Sequence, residues 1–219
     1  MKIIGHRGAR GLAPENTLAS LEKAIEHHVD MIEFDVRVTK DNRAILHHDQ
    51  NLIDPSGNHL SIESHALTEL QTHKPDLTLF EDAIKFVDHK VGLMVELKPR
   101  VDIKPIVSII EKSDLSLDEI IICSYSFKIL EQIKKLLPDV KIMIIERWSG
   151  VRATSRARKL GTRLISMNQR WLWWGFIRSM KNSGYKLYTY TLNNPAKAKR
   201  WSKYGLAGVI TDYPDQFQK

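Results

Sequence analysis

Eight short apolar runs, each followed by a segment with helical periodicity, constrain the fold of this chain more than any other feature. The runs lie at 2–5, 30–38, 91–98, 119–126, 140–146, 162–168, 185–191 and 207–212. They are nearly continuous in Ile, Val and Leu, which is typical of parallel strands buried on both faces. Eight β-α repeats within 219 residues predict an α/β protein with a (β/α)8 TIM barrel rather than an open sheet.

One stretch interrupts this alternation directly after the second strand. Residues 39–44 carry a turn signal, and we expect a two-residue hairpin loop at Asp41 and Asn42 that places Asp35 opposite His48. Residues from about 50 to 78 contain Pro, Gly, Ser and Asn, and they predict a small irregular insertion over the barrel mouth. Because no linker or break in composition follows, we expect a single domain over residues 1–219.

Composition narrows the setting and the partners. The net charge of +7 favours anionic partners, but no helix-turn-helix, RRM or zinc-finger pattern supports nucleic-acid binding, so we expect none. The chain opens without a signal-peptide pattern, and no apolar run approaches the roughly 18 residues of a membrane span. Cys123 is the only cysteine, which excludes an internal disulfide and a cysteine-based zinc site. These features predict a cytoplasmic protein.

Carboxylates at the ends of the second and third barrel strands predict a metal site. Active sites of such barrels lie at the C-terminal ends of the strands. Glu33 and Asp35 are two residues apart and therefore share one strand face, and Glu96 and Lys98 repeat this spacing. Carboxylates without cysteine suit a hard cation, Mg²⁺ or Ca²⁺. The alternative is a salt-bridged polar layer that uses Arg7 and Lys98.

Histidines at the same rim supply groups for proton transfer. His6 follows the first strand, and His48 lies on the hairpin beside the second-strand carboxylates. A lone histidine at a strand end is more often structural, but two that flank a carboxylate site predict an acid–base pair. Arg7 and Lys98 would bind the charge of a phosphoryl group. Further polar residues at strand ends are Ser124, Thr191 and Asn193.

The ordered set HRG, PENT, EFD, HHD, ELK and TDYP resembles the glycerophosphodiester phosphodiesterase family from His6 to about Pro214. The resemblance implies a (β/α)8 barrel that hydrolyses glycerophosphodiesters to glycerol 3-phosphate and an alcohol, with one divalent cation. It also implies that the insertion helps to admit the glycerol end of the substrate. Within the family a tryptophan is common where this chain has Tyr190. The tyrosine keeps an aromatic wall in the substrate pocket but changes its size.

The resemblance implies a role for each matching residue. The catalytic residues are His6 and His48, the metal ligands are Glu33, Asp35 and Glu96, the phosphate-binding residues are Arg7 and Lys98, and the supporting residues are Glu15, Asn16, Asp49, Ser124, Tyr190 and Asn193.

A tryptophan-rich stretch, QRWLWWGFIRSMKN, has two interpretations. Trp171, Trp173 and Trp174 with basic neighbours predict peripheral contact with a membrane through residues 171–174. The alternative is a barrel helix that packs part of this stripe against the sheet. A lysophospholipid substrate is therefore open beside glycerophosphocholine and glycerophosphoethanolamine. A sphingomyelinase-D-like phospholipase is disfavoured, because those enzymes act on choline lipids outside cells, whereas this chain has no signal-peptide pattern and a single cysteine.

Overall fold

The computed structural model describes residues 1–54 and 56–217. Its strands, in chain order, are β1 (Lys2–His6), β2 (Met31–Val38), β3 (Ala44–Leu46), β4 (Asn51–Ile53), β5 (His59–Ser61), β6 (Gly92–Leu97), β7 (Ile120–Ser124), β8 (Lys141–Glu146), β9 (Leu164–Asn168), β10 (Lys186–Tyr190) and β11 (Gly208–Thr211). Its α-helices are α1 (Leu18–Glu26), α2 (Leu67–His73), α3 (Phe80–Val87), α4 (Lys104–Lys112), α5 (Phe127–Leu136), α6 (Gly150–Lys159), α7 (Trp174–Asn182) and α8 (Pro195–Ser202). Short 3-10 turns lie at Ile62–Ser64, Gln169–Trp171 and Pro214–Phe217.

Eight of the strands close into a parallel barrel in the order β1-β11-β10-β9-β8-β7-β6-β2, with β2 pairing back to β1. The predicted (β/α)8 barrel is confirmed, and each predicted strand lies within two residues of an observed one. α1 begins at Leu18 because the Thr17 side chain accepts a hydrogen bond from the backbone N–H of Ser20 and caps the first turn. No helix in the described ranges is long and apolar enough to cross a membrane.

Alternation along the strands separates two apolar layers. On β2, Ile32, Phe34 and Val36 face outward into the core that lies between the strands and the helices. The interior face begins with Met31, which belongs to the apolar plug inside the barrel, and continues with Glu33 and Asp35 toward the mouth. The plug consists of Ile4, Met31, Met94, Ile121, Cys123, Met143, Ile145, Tyr188 and Ile210. The carboxylates therefore lie directly above an apolar floor.

The β2–β3 hairpin differs from the predicted two-residue loop. Val36 pairs with Leu46 and Val38 with Ala44, so the predicted register, with Asp35 opposite His48, is wrong by one residue. Asn42 adopts a left-handed conformation with φ of 60°, and this conformation lets the loop hold a third residue. The backbone N–H of His47 instead donates to the carbonyl of Asp35, which leaves His48 next along the chain at the rim.

The sequence predicted an irregular insertion after the second strand, but the structure shows regular elements there. The insertion contains the antiparallel pair β4–β5, a 3-10 turn and α2. These elements enclose an apolar cluster of their own, formed by Ile45, Leu52, Ile62, Leu67, Leu70 and Leu77. Because Ile45 belongs to β3, the cluster joins the insertion to the hairpin that carries His48.

We expect Leu70→Ala to lower the free energy of unfolding by about 2–5 kcal/mol, because Leu70 is fully buried in this small cluster. Urea unfolding followed by circular dichroism measures the change. Thr68→Ala, on the exposed side of the same helix, is the matched control and should stay within about 0.5 kcal/mol. A loss below about 1 kcal/mol for Leu70→Ala would show that the cluster does not stabilise the fold.

Candidate active site

The loop after β1 presents His6 and Arg7 at the barrel mouth. Arg7 lies in the left-handed region with φ of 50°, and Gly8 follows with φ of 81°. A Cβ on Gly8 would lie 2.5 Å from the backbone of Ser20, so only glycine lets the loop pass this close to α1. The backbone N–H of Arg7 donates to Glu33 Oε2 at 3.0 Å, which ties the loop to β2.

Glu33, Asp35 and Glu96 form a cluster of carboxylates inside the mouth. Glu33 and Asp35 are buried, the Glu96 side chain is only 12% exposed, and Asp35 and Glu96 are register partners across β2 and β6. One oxygen of each lies within 4.8 Å of the others. A hard divalent cation prefers such an oxygen set, with water and substrate oxygens completing its coordination. The donor set therefore fits the predicted metal.

Two cations touch this cluster. Lys98 Nζ lies 2.5 Å from Asp35 Oδ1 and 2.5 Å from Glu96 Oε1. Arg7 Nε lies 3.2 Å from Asp35 Oδ2 in ion-pair contact without hydrogen-bond geometry, while Arg7 Nη1 donates to Glu15 Oε1 at 2.8 Å. Burial acts to raise the pKa of Asp35, but Lys98 and Arg7 outweigh it and lower that pKa to about 2.

The two glutamates remain under-compensated. Burial first, and then the charges of Asp35 and Glu96, raise the pKa of Glu33 well above its ordinary range. Burial and the charge of Asp35 also raise the pKa of Glu96, although Lys98 opposes them. Three carboxylates against two cations leave excess negative charge in a buried site, and a bound divalent cation would remove the repulsion.

His6 is held by a residue at the other end of the chain. Its Nδ1 lies 2.5 Å from Asp212 Oδ1, and Asn193 donates from Nδ2 to Asp212 Oδ2 at 2.8 Å. Burial lowers the pKa of His6, while the hydrogen bond to Asp212 raises it in part. Arg10 Nε lies 3.2 Å from the same Asp212 oxygen. Asp212 belongs to the TDYP motif, but the sequence did not single it out as a partner of His6.

His48 has the same arrangement with its own neighbour. Its Nδ1 lies 2.7 Å from Asp49 Oδ1, and Arg37 donates from Nε and Nη2 to the His48 carbonyl at 3.1 and 3.0 Å. Burial lowers the pKa of His48, and the negative charge of Asp35 acts on it in the opposite direction. Each histidine thus has Nδ1 beside a carboxylate, with no partner for Nε2 among residues 1–54 and 56–217.

The other supporting residues divide into two groups. Asn16 donates to Asp35 Oδ2 at 3.1 Å and accepts from the Asp35 backbone N–H at 3.2 Å, so with Glu15 it holds the cluster in place. Ser124 lies outside this network, since it donates to the Leu97 carbonyl at 2.7 Å and joins two strand ends. Tyr190 donates to the Glu146 carbonyl at 3.0 Å and accepts from the Tyr125 hydroxyl at 2.7 Å.

A small cavity leads from His6, Glu33 and Glu96 to the Tyr125–Tyr190 pair. The two rings meet edge to face, with centroids 6.3 Å apart, and form one wall of this space. Ser166 also lines it, and its buried hydroxyl has no hydrogen-bond partner among the described residues. Sequence reasoning missed Ser166 as a cavity residue, because it does not lie in a chemically distinctive pattern.

Carboxylates that suit a cation, two basic side chains and two histidines converge at this mouth. Such a set of groups suits the binding of an oxyanion. Fold and site together define a barrel enzyme that acts on a phosphate ester. Residues 6–216 match the Glycerophosphoryl diester phosphodiesterase family. The chain belongs to that family and is an enzyme of it.

Two relatives and one solved structure illustrate the similarity. A glycerophosphodiester phosphodiesterase of Bacillus subtilis strain 168 is 27% identical over 254 residues, which cover 99% of this chain and 85% of that protein. A human lysophospholipase D is 24% identical over 266 residues, with 99% and 85% covered. An Oleispira antarctica phosphodiesterase in complex with the product sn-glycerol-3-phosphate superposes with a TM-score of 0.89 at 25% identity, over 99% of this chain and 95% of that one.

We expect Asp212→Asn to lower kcat by about 10²-fold or more, because the amide no longer fixes the tautomer and orientation of His6. The hydrogen bond and charge of Asp212 raise the pKa of His6, so their loss lowers that pKa. Whichever limb of the pH–rate profile His6 sets should therefore move to lower pH. Asp139→Asn, on the exposed surface, is the control. An unchanged profile would contradict the pairing.

Proposed function

We propose that this enzyme hydrolyses glycerophosphodiesters to glycerol 3-phosphate and an alcohol, by metal-dependent catalysis with His6 and His48 as the acid–base pair. One observation carries the proposal: the two histidines share the mouth with the Glu33, Asp35 and Glu96 cluster, and each has Nδ1 beside a carboxylate. The product bound in the Oleispira relative supports the same substrate class. Glycerophosphocholine and glycerophosphoethanolamine are the first substrates to test.

Arg7 and Lys98 orient the phosphodiester at the mouth through their positive charges. One imidazole Nε2 accepts the proton of the attacking oxygen, that of water or of the neighbouring glycerol hydroxyl, as the new P–O bond forms. The other imidazole donates its proton to the alcohol oxygen as the old P–O bond breaks, so protons and charges balance. Where the glycerol hydroxyl attacks, the product is a cyclic phosphate, and a water then opens it with the proton transfers reversed. Asp212 and Asp49 stabilise the imidazolium forms, since each accepts at Nδ1.

Glu33, Asp35 and Glu96 would hold one divalent cation, Mg²⁺ or Ca²⁺, and this ion supplies positive charge for the phosphoryl oxygens. Asn16 fixes the Asp35 carboxylate in place by its two hydrogen bonds. Lys98 bridges Asp35 and Glu96 and keeps both oxygens close to the site. The chain's own cations thus prepare a site that still retains negative charge for the ion.

A lysophospholipid is a second substrate, which the exposed tryptophans favour. Trp171, Trp173 and Trp174 are each more than half exposed, and they support peripheral contact with a membrane through residues 171–174. The human relative is a lysophospholipase D, which acts on such lipids. The products here would be a lysophosphatidate and the head-group alcohol. We further propose that the whole chain is one cytoplasmic domain, as its composition suggests.

We expect His6→Ala and His48→Ala each to lower kcat by about 10²–10⁴-fold, because each removes one proton-transfer group. Release of glycerol 3-phosphate from glycerophosphocholine measures the change. His27→Ala, on a residue that follows α1 away from the mouth, is the control and should retain wild-type activity. Activity within tenfold of wild type in either site variant would refute the acid–base assignment.

Removal of the cation should abolish activity, and Mg²⁺ or Ca²⁺ should restore it. We expect the added ion also to raise the melting temperature, since an ion that binds only the folded chain stabilises it by about 2.7 kcal/mol at a hundred times its Kd. Glu33→Gln and Glu96→Gln should lose this shift, whereas Asp118→Asn, on an exposed carboxylate, should keep it. Full activity in EDTA would overturn the metal requirement.

A further inference from the structure

Charge is divided very unevenly along the chain. Residues 147–211 contain fourteen Lys and Arg and no Asp or Glu. The remaining residues carry 19 Lys and Arg against 26 Asp and Glu. The whole positive surplus of the protein therefore comes from one continuous stretch, which we call the basic sector (residues 147–211).

The barrel places the basic sector on one side of the molecule. It holds α6, α7 and α8 with the strands β9 and β10, and the order β8-β9-β10-β11 makes these elements neighbours around the barrel. Glu146, the last carboxylate before the sector, is fully buried, and it accepts two hydrogen bonds from Arg152, at 2.6 and 2.7 Å. No carboxylate within residues 147–211 reduces the positive charge of this side.

Exposed apolar side chains gather in the same sector, on the side of the mouth. Five residues lie on the loops after β8 and β9 or in the first turns of α6 and α7, and each is more than half exposed. We call them the aromatic rim: Trp148, Val151, Trp171, Trp173 and Trp174. Because helices of this barrel begin at the C-terminal ends of the strands, the aromatic rim lies beside the active-site opening.

The loop after β8 is held firmly, and the first turns of α6 and α7 lie against each other. The Glu146 carboxylate accepts hydrogen bonds from the backbone N–H groups of Arg147 and Trp148, at 2.8 and 3.3 Å. A Cβ on Gly150 would lie 2.6 Å from the Phe176 ring, so α6 begins in direct contact with α7. A Cβ on Gly175 would lie 2.0 Å from the Trp173 ring. Two glycines thus allow close packing where α6 and α7 begin.

Basic side chains frame these tryptophans. Arg147 and Arg152 stack over the Trp148 ring, at 5.8 and 5.9 Å from its centre. Beside Trp173 and Trp174, a groove between α7 and α8 is lined by Arg170, Lys197 and Arg200. Tryptophan and cations at one surface match the two parts of a lipid leaflet, its interfacial region and its anionic head groups.

We propose that the aromatic rim and the basic sector dock the mouth of this enzyme against a leaflet that contains anionic lipid. Duplex nucleic acid would satisfy the cations, but it offers no apolar phase for the exposed tryptophans, whereas a leaflet satisfies both. Docking in this orientation holds the active-site opening beside the head groups. The expected consequence is preferential hydrolysis of lysophospholipids that reside in the leaflet, and this consequence rests on the proposed function.

Co-sedimentation with vesicles tests the proposal. We expect wild-type protein to bind vesicles of phosphatidylcholine mixed with phosphatidylglycerol far more tightly than phosphatidylcholine alone, and to be released by salt. Arg170→Gln and Arg200→Gln should each weaken binding about fivefold. Trp148→Ala combined with Trp173→Ala should weaken it about tenfold or more, because less apolar area enters the interface. Hydrolysis of lysophosphatidylcholine placed in the vesicles should fall in parallel.

Lys135→Gln and Leu136→Ala are the matched controls, since both residues are exposed at the C-terminal end of α5, on the opposite side of the barrel from the mouth. Hydrolysis of soluble glycerophosphocholine should be unchanged in all these variants, which shows that they fold. If the wild-type protein did not hydrolyse glycerophosphocholine, the proposed function would be wrong, but the docking proposal would not be affected. The docking proposal would be overturned if the wild-type protein did not bind anionic vesicles, or if the rim and sector variants bound them as tightly as the wild type does. Tighter binding to duplex DNA than to these vesicles would overturn it as well.

Discussion

The contact of Lys98 with Asp35 and Glu96 is the interaction on which the rest of the site depends. A carboxylate inside a barrel loses its hydration, and a cation in contact with it offsets that loss. Strand register brings Asp35 and Glu96 side by side, and Lys98 follows β6 closely enough to reach both. Arg7 adds the second charge from the first loop. Removing one partner of such a buried pair typically costs about 3–5 kcal/mol, so site and barrel mouth are stable together.

The same two-residue alternation that builds the barrel also layers the site. Along β2 the interior face passes from Met31 through Glu33 to Asp35, so an apolar floor lies beneath the charged mouth. The floor keeps the local dielectric low, and this strengthens the attraction of Lys98 and Arg7 for their carboxylates. Burial on this floor also raises the pKa of Glu33, a carboxylate that has no ion pair among residues 1–54 and 56–217. Excess negative charge at this depth would favour the binding of a divalent ion.

Sequence reasoning predicted those parts of the molecule that local patterns determine. The eight strands follow from apolar runs, and the carboxylate cluster follows from the spacing of Glu33 and Asp35 with the rule that barrel sites lie at strand ends. What it missed depends on contacts between distant residues. Asp212 lies 206 residues from His6, and only barrel closure through β11 and β1 brings them together. The hairpin register failed because Asn42 adopts a left-handed conformation, which residue spacing does not show.

The cations that contact the buried carboxylates are distinct from the cations that give the basic sector its positive charge. The buried carboxylates of the site are contacted by Lys98 and Arg7, and neither of these residues belongs to the basic sector with its fourteen cations. Cations gathered on one side repel each other and oppose folding, and no carboxylate within residues 147–211 relieves them. Exposed tryptophans beside the mouth likewise leave apolar area in water. Both costs fall on the same side of the barrel, and one anionic, partly apolar surface would offset both at once.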